Sequence, residues 1–549
     1  MAIPENCTVL VIGGGPAGSF AATALARESI DVCLLEMQKF PRFVESFSRT
    51  SMIPSMRHFL KFIDLEDAFN SKGFVKKNGG AFRIHPSQPD AHLNFLAGGG
   101  PESYTWNIIR SEADDMLFKH AITSGVHAFD DTKVNSIHFQ DADSGLGRPV
   151  SASWTRGDGS SGIVRFQYLV DASGRDGMVS KRHLNNRKFK DNLKNVATWG
   201  YWTGSETYGT PGTVSENMPY FETLQDASGW CWHIPLHDDT HSVGIVLNQD
   251  LATDKKKQLA SPRPRDFYLS CLELVPQTKK LLAKAELVGD IKSASDWSYS
   301  ASSYAFPYGR IAGDAGCFID PYFSSGVHLA IMGGLSAAIT ISASIRGDCS
   351  EETAASWHTK KIAESYNRFF IVVSYMSKLM FSKDKPDIQG GCNESLQNVF
   401  EILRPVLQGT TDANAAGNLS LVEMFKMSKF ILVALTGASS EQVDTLVQKL
   451  EDLDGENEID STVVEAVKQF QESLSIEESH VLDLLQNMRG YLDDHYSIDS
   501  FTLSPIEGLV TNMERGKLGL ISADKRKLEL FPTGIMSDKL PFEPPAQQV

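Results

Sequence analysis

Three stretches of the chain carry residue types at spacings that could do chemistry. The first is Gly13-Gly14-Gly15-Pro16-Ala17-Gly18, with glycines at 13, 15 and 18 in a G-x-G-x-x-G spacing. A turn so free of side chains lets backbone N–H groups at a helix start meet a pyrophosphate. Glu36 follows about twenty residues later, where a carboxylate would bind an adenosine ribose hydroxyl. The second stretch runs from Arg310 through Gly313 and Asp314 to Asp320-Pro321-Tyr322-Phe323-Ser324-Ser325-Gly326. Asp314 is set to bind a ribityl hydroxyl, and the N–H groups around Ser324 to Gly326 form a nest for an anion. The third is Gly229-Trp230-Cys231-Trp232-His233-Ile234-Pro235. Trp230 and Trp232 fall on one face of a strand and make either ordinary strand core or a rigid indole wall.

These groups need elements to hold them. Thr8 to Ile12 reads as a buried strand, the alanine-rich run Ser19 to Glu28 as a helix, and Asp31 to Glu36 as a second strand, the opening of a Rossmann unit. Its place near the N-terminus suits FAD without separating FAD from NAD. Met52 to Phe69 is predicted to be one helix. Gly73 to Phe82, basic and glycine-rich between apolar residues, reads from pattern alone as a solvated hairpin. Ser111 is predicted to cap a helix whose first turn is acidic, and Arg110 would either reach a cofactor or pair with those acids. Tyr168 to Asp171 is another strand ending in an acid, followed by a glycine turn to Gly177.

From about 196 to 297 short aromatic, alternating stretches predict an antiparallel sheet. Val327 to Ile345 reads as a helix. Beyond about 350 amphipathic helices follow, among them Leu421 to Leu435 and Val463 to Leu474, joined by acidic linkers such as Glu451 to Glu458. The tail after Phe531 is predicted to be a proline-rich strap. The expected organisation is α/β: a Rossmann-type dinucleotide domain from 1–195 and 298–346, an antiparallel substrate-domain sheet from 196–297, and a helical region from 347–549.

Composition narrows the partners. The 549 residues carry a net charge of −16, which supplies no basic face for nucleic acid. Seven scattered cysteines, without a C-x-x-C or a Cys/His cluster, predict reduced thiols and no metal site. There is no run of 18 or more apolar residues and the chain enters its first strand directly, so a cytoplasmic protein without signal peptide or membrane span is expected.

Taken in order, the glycine run with Glu36, the turn from Asp171 to Gly177, and Gly313-Asp314 before Pro321 resemble the FAD-dependent monooxygenase superfamily. With Trp230-x-Trp232-x-Ile234-Pro235 and Asp320-Pro-x-x-Ser-Ser-Gly326-Val-His-Leu-Ala330 the chain looks like the flavin-dependent halogenases. The style of Arg57 to Leu65 and Arg110 to Ala121 resembles members that chlorinate phenolic polyketides. The resemblance covers about 5–380. It implies that Gly13, Gly15, Ala17, Gly18, Glu36, Arg110, Asp314, Pro321 and Gly326 hold FAD. It also implies that Ser324, Ser325 and Gly326 border flavin and chloride, and that Trp230, Trp232, Ile234 and Pro235 separate flavin from substrate. Lys77, in a K-x-G-x-x-F context with Gly79 and Phe82, would be the catalytic lysine; Lys76 does not fit that spacing. Phe323 stands where tryptophan halogenases carry a glutamate, which argues against an indole substrate. After Phe40-Pro41-Arg42 many relatives read H-I-G-E-S, whereas Phe43 to Ser51 departs from this, with Thr50 near the glutamate position.

The activity so implied uses FADH2 from a separate NAD(P)H flavin reductase, oxygen and chloride to make hypochlorous acid. Electrophilic substitution would then place chlorine on an electron-rich phenol, free or carrier-bound, with an unassigned His or carboxylate forming the phenolate. The alternatives are an FAD-dependent hydroxylase, halogenation of a 1,3-dicarbonyl carbon, and a flavin-binding protein without turnover.

Overall fold

The computed structural model describes residues 2–42, 49–85, 88–140, 146–261, 263–381, 400, 403–404, 406–409 and 505–523. The helices expected at 421–435 and 463–474, the acidic linker at 451–458, the proline-rich tail and most of the altered stretch after Arg42 lie outside these residues.

The strand Asn6–Ile12 sits between Ser161–Asp171 and Val32–Leu35, parallel to both. Parallel pairing continues outward to Gly309–Ile311 on one side and His127–Phe129 on the other. Val9, Leu10 and Val11 are fully buried, as a central parallel strand covered on both faces requires. One face, with Leu10 and Ile12, is covered by the strands Thr132–Phe139 and Pro149–Arg156 through Val134, Ile137 and Ala152; the other, with Val9 and Val11, is covered by the helices Pro16–Ala26 and Gly326–Arg346. They meet closely because Gly334 lacks a Cβ, which would lie 2.4 Å from the Ala17 carbonyl oxygen. Gly326–Arg346 is long and apolar enough to cross a membrane although polar residues interrupt it, yet 89% of its apolar window is buried inside the fold. It is a core helix.

A second sheet of seven strands lies beside the first, in the order Glu286–Ala301, Arg187–Thr203, Thr240–Asn248, Gly229–Pro235, Tyr220–Thr223, Gly79–Arg83 and Ala91–Asn94. All its pairs are antiparallel except Tyr220–Thr223 with Gly79–Arg83. It draws two strands from before 196, and Arg187–Thr203 runs across the boundary expected there. A strand that passes from one sheet toward the other leaves no change of composition to mark the junction.

Several local expectations give way to the structure. Met52 to Phe69 is two helices, Ser55–Phe62 and Glu66–Ser71, broken where Asp64 adopts a left-handed φ of 60°, a conformation a short polar side chain tolerates. Ser111 does not cap its helix: the helix starts at Arg110, and the Ser111 hydroxyl is buried without a partner. Gly73 to Phe82 is not a solvated hairpin. Val75–Lys77 pairs with Thr105–Ile109 in a small third sheet, while Gly79–Arg83 joins the seven-stranded one. Beyond 350, the helix Glu351–Met380 is as expected. The hairpin Leu509–Asn512 with Gly519–Ser522, packed on Gly326–Arg346, was not foreseen.

Candidate active site

A cavity of about 610 Å³ opens where the parallel sheet meets the seven-stranded one. Its floor is the glycine turn. A Cβ on Gly13 would lie 2.2 Å from the Ala172 carbonyl oxygen, and one on Gly18 would lie 1.9 Å from that of Gly13, so these two positions let backbone touch backbone. Gly15 differs: the nearest atoms to its Cβ would be the Arg42 guanidinium nitrogens, 3.9 Å away. The space kept clear by Gly15 is cavity, at the start of a helix, and it fits a pyrophosphate. Gly13, Gly15 and Ala17 line the cavity, whereas Gly18 stands behind it.

Glu36 lines the same space and is already partly engaged. Its Oε2 accepts from the Gly14 N–H at 2.7 Å and from Arg42 at 2.9 Å, and its Oε1 accepts from the Gln38 N–H at 2.7 Å. Arg42 also donates to Asp114 at 2.8 Å, and Arg110 forks onto the same Asp114 at 2.9 and 3.0 Å. Arg110 thus pairs with one of the acids of its helix and also lines the cavity. Sequence reasoning gave Arg42 no role and counted Asp114 only among the acids that Arg110 could pair with; the signal for Arg42 was an arginine six residues past an acid that closes a strand. Asp171, at the second motif, is fully buried and takes the N–H groups of Ser173 at 3.0 Å and Val179 at 2.7 Å. It ties the turn and does not line the cavity. Asp314 does, facing Arg175 at 3.8 Å.

At the opposite end lie Pro321, Ser324 and Gly326. Ser324 takes a left-handed φ of 59°, and Ser325 starts the long helix without a side-chain cap. Among the described residues the buried Ser325 hydroxyl has no partner, and a Cβ on Gly326 would meet nothing within 4 Å. Free N–H groups at a helix start beside open space suit a small anion.

Trp230, Trp232 and Ile234 form the wall on the sheet side, and Pro235 is buried beyond the cavity lining. The indoles pack on each other at 5.8 Å, and Trp230 meets Tyr322 edge-on at 4.9 Å. Trp232 donates to the Ser242 hydroxyl at 3.0 Å and fits because Gly244, opposite it, has no Cβ, which would come within 2.2 Å of the ring. Trp230 donates to Asp320, a buried carboxyl that also accepts from Asn195 at 2.8 Å and from the Tyr322 N–H at 3.1 Å. Burial pushes Asp320 up to about 6 against those donors.

Lys77 does not line this cavity. The strand that follows it carries Phe82, stacked at 4.8 Å on cavity-lining Phe221, with Tyr322, Phe323 and Phe400 packed against Phe82. An aromatic layer thus adjoins the cavity on the side from which the lysine comes. Lys77 is 3% exposed; its Nζ donates to the Met52 carbonyl at 2.7 Å and lies 5.2 Å from the Phe95 ring centre. Among the described residues it has no carboxylate partner, and burial lowers its pKa to about 7. Lys76 is exposed over Tyr104. Distant chain packs beside Phe95: Gln408 accepts from the Ser55 N–H at 3.0 Å and donates to the Phe95 carbonyl at 3.0 Å.

A model of the FAD binding domain family matches residues 6–365. The sulochrin halogenase of Aspergillus terreus is 45% identical over 538 residues, 95% of each chain. A flavin-dependent halogenase of Acremonium egyptiacum is 45% identical over 533 residues, 94% of this chain and 93% of its own. The chain belongs to the flavin-dependent halogenases. Among solved structures, the halogenase CmlS is 25% identical with a TM-score of 0.63, covering 82% of this chain and 78% of its own. The brominase Bmp2, at 24% identity and a TM-score of 0.62 over 74% of this chain and 94% of its own, shares the fold. This halogenase is accordingly an FAD-dependent oxidoreductase that works on reduced flavin.

A buried amine makes folding pH-dependent. The native pKa near 7 against 10.5 for a free lysine means that the unfolded chain binds the extra proton between those values, so stability rises with pH across that window. Lys77→Met is therefore expected to stabilise the fold below pH 7 by a few kcal/mol, on the order of what such a shift implies, with the gain fading toward pH 10. Denaturant titrations at both ends of the window measure it.

Proposed function

We propose that this halogenase chlorinates an electron-rich phenolic ring of polyketide type, as the name of the sulochrin relative suggests for that protein. The observation that carries the reading is Lys77, a buried amine near its titration point, outside the flavin cavity and next to an aromatic layer.

Reduced FAD, supplied by a separate flavin reductase, provides with oxygen and chloride the hypochlorous acid. The turn at Gly15, with Glu36, Arg110 and Asp314, holds the cofactor, and the nest at Ser324 to Gly326 holds chloride near it. The wall of Trp230 and Trp232 keeps the substrate off the flavin and so prevents direct oxygen transfer. The neutral Lys77 amine receives the chlorine as a chloramine with loss of water, or holds hypochlorous acid by hydrogen bond. The phenolate ring then takes the chlorine, and the amine is regenerated. Phe323, packed at 4.9 Å on Tyr322, leaves an apolar boundary where an indole-specific enzyme would need an acid.

Mass spectrometry after incubation with FAD, a flavin reductase, NADH, chloride and a panel of phenols and 1,3-diketones tests this. Chlorinated phenols are expected; oxygen insertion without chlorine would make the enzyme a hydroxylase. Trp230→Phe and Trp232→Phe are each expected to lower chlorination moderately while leaving FAD affinity nearly unchanged. Trp230→Phe also leaves Asp320 short of a donor and should cost about 1–2 kcal/mol of stability. Loss of flavin with full activity per bound FAD would place the indoles on the cofactor instead.

A further inference from the structure

Between residues 175 and 194 the chain places seven lysines and arginines against two acids, Asp176 and Asp191, in a protein of net charge −16. The stretch is laid out as a track. Lys194 lies 5.6 Å from the Trp297 ring centre, Trp297 meets Phe189 at 5.6 Å, and Phe189 meets Tyr299 at 5.6 Å. Tyr299 continues to Phe318 at 6.0 Å, with Arg187 4.0 Å over Tyr299 and Arg175 4.0 Å over Phe318. Phe318, Arg175 and Arg182 line the flavin cavity. Arg187 pins the track there by donating to the carbonyls of Arg175 at 3.0 Å and Ala315 at 3.3 Å. Lys181, Arg182 and Lys188 are exposed, and Phe189 is 47% exposed.

No step of the chemistry uses these residues; Tyr299 and Phe318 are buried and Trp297 is half-buried, so the face turned to water consists of Lys181, Arg182, Lys188 and the ring of Phe189. FAD is a flat aromatic ring attached to a doubly charged pyrophosphate, and it reaches this enzyme reduced, from a separate reductase. A body of net charge −16 repels such a molecule at long range, and positive charge gathered at the cavity mouth reverses the local field. We propose that this cationic track, with the exposed Phe189 on it, captures free anionic flavin in an encounter complex and steers it into the cavity. The proposal rests on the FAD assignment. Its occupant is the free flavin, held by phosphate attraction to the cations and by stacking on the exposed Phe189 ring.

The test is the stopped-flow association rate of oxidised FAD with the full chain, read by flavin fluorescence at rising ionic strength. Lys181→Glu with Lys188→Glu is expected to lower that rate about tenfold at low salt, and less than about twofold at 0.5 M salt, with the dissociation rate unchanged. Lys181→Gln with Lys188→Gln should fall between. Arg515→Glu with Lys517→Glu makes the same change of net charge in the hairpin at the far end of the long helix, and should change the rate little. An equal slowing by the remote pair, a slowing that persists in high salt, or an effect confined to dissociation would each overturn steering. So would a loss of coupled turnover with the reductase while free FAD still binds at the normal rate, which assigns the track to the reductase. Failure of the unsubstituted chain to bind FAD at all would overturn the cofactor assignment itself, and the track with it.

Discussion

Lys77→Ala, and equally Lys77→Met with its matched length, is expected to abolish chlorinated product, while reduced flavin is still reoxidised by oxygen at a near-normal rate. The two halves of this expectation come from different places. Lys77 is outside the flavin cavity, so removing its amine leaves the groups that bind the cofactor in place. Its nitrogen is the buried amine that receives the oxidant in the proposed mechanism, and neither methionine nor alanine offers a lone pair on nitrogen. Lys76→Ala is the neighbouring control: that side chain is exposed over Tyr104, so its loss should change activity by no more than about 0.5 kcal/mol of barrier. Product analysis by mass spectrometry alongside flavin absorbance separates the outcomes. A dead Lys76→Ala with an active Lys77→Ala would assign the chemistry to the other lysine. Activity in both would end the proposed mechanism.

Gly15→Val is expected to give a folded but colourless protein, with FAD affinity lowered at least about a hundredfold, roughly 2.7 kcal/mol. The geometry distinguishes this glycine from its neighbours. A side chain at Gly15 projects into open cavity, whereas a Cβ at Gly18 would come within 1.9 Å of the Gly13 carbonyl oxygen. Gly18→Ala should therefore lower the melting temperature as well as flavin content, and Gly15→Val the flavin content alone. Circular dichroism and a flavin titration on both variants read the difference. Normal FAD binding by Gly15→Val would remove the glycine turn from the cofactor site.

How far the sequence reveals such a site depends on whether its parts are local. The glycine turn, Glu36 and the helix from Gly326 were legible because strand, turn and helix are each set by a few consecutive residues. The indole pair was legible because strands alternate. Lys77 was misread from pattern alone, since it is buried against Met52 and Phe95, neither of which is near it in sequence. A basic, glycine-rich stretch carries no sign that remote chain will cover it. Asp320 stood in a motif without a role for the same reason: its partners Asn195 and Trp230 come from other strands. Ser111 shows the opposite error, a good local cap signal overruled because the strand before it runs straight into the helix.

The packing of Gln408 against Ser55 and Phe95 divides the enzyme into parts that can diverge separately. The described residues 400–409 touch Phe82, Phe95, Phe323, Ser55 and the ring of His328, and none of them lines the flavin cavity. Mutation there changes the packing around Phe95, the ring nearest Lys77, at positions outside the cavity lining. A lineage can in this way acquire new phenols through one short stretch of chain while inheriting its flavin half unchanged, and a laboratory seeking altered substrate range has the same stretch to diversify.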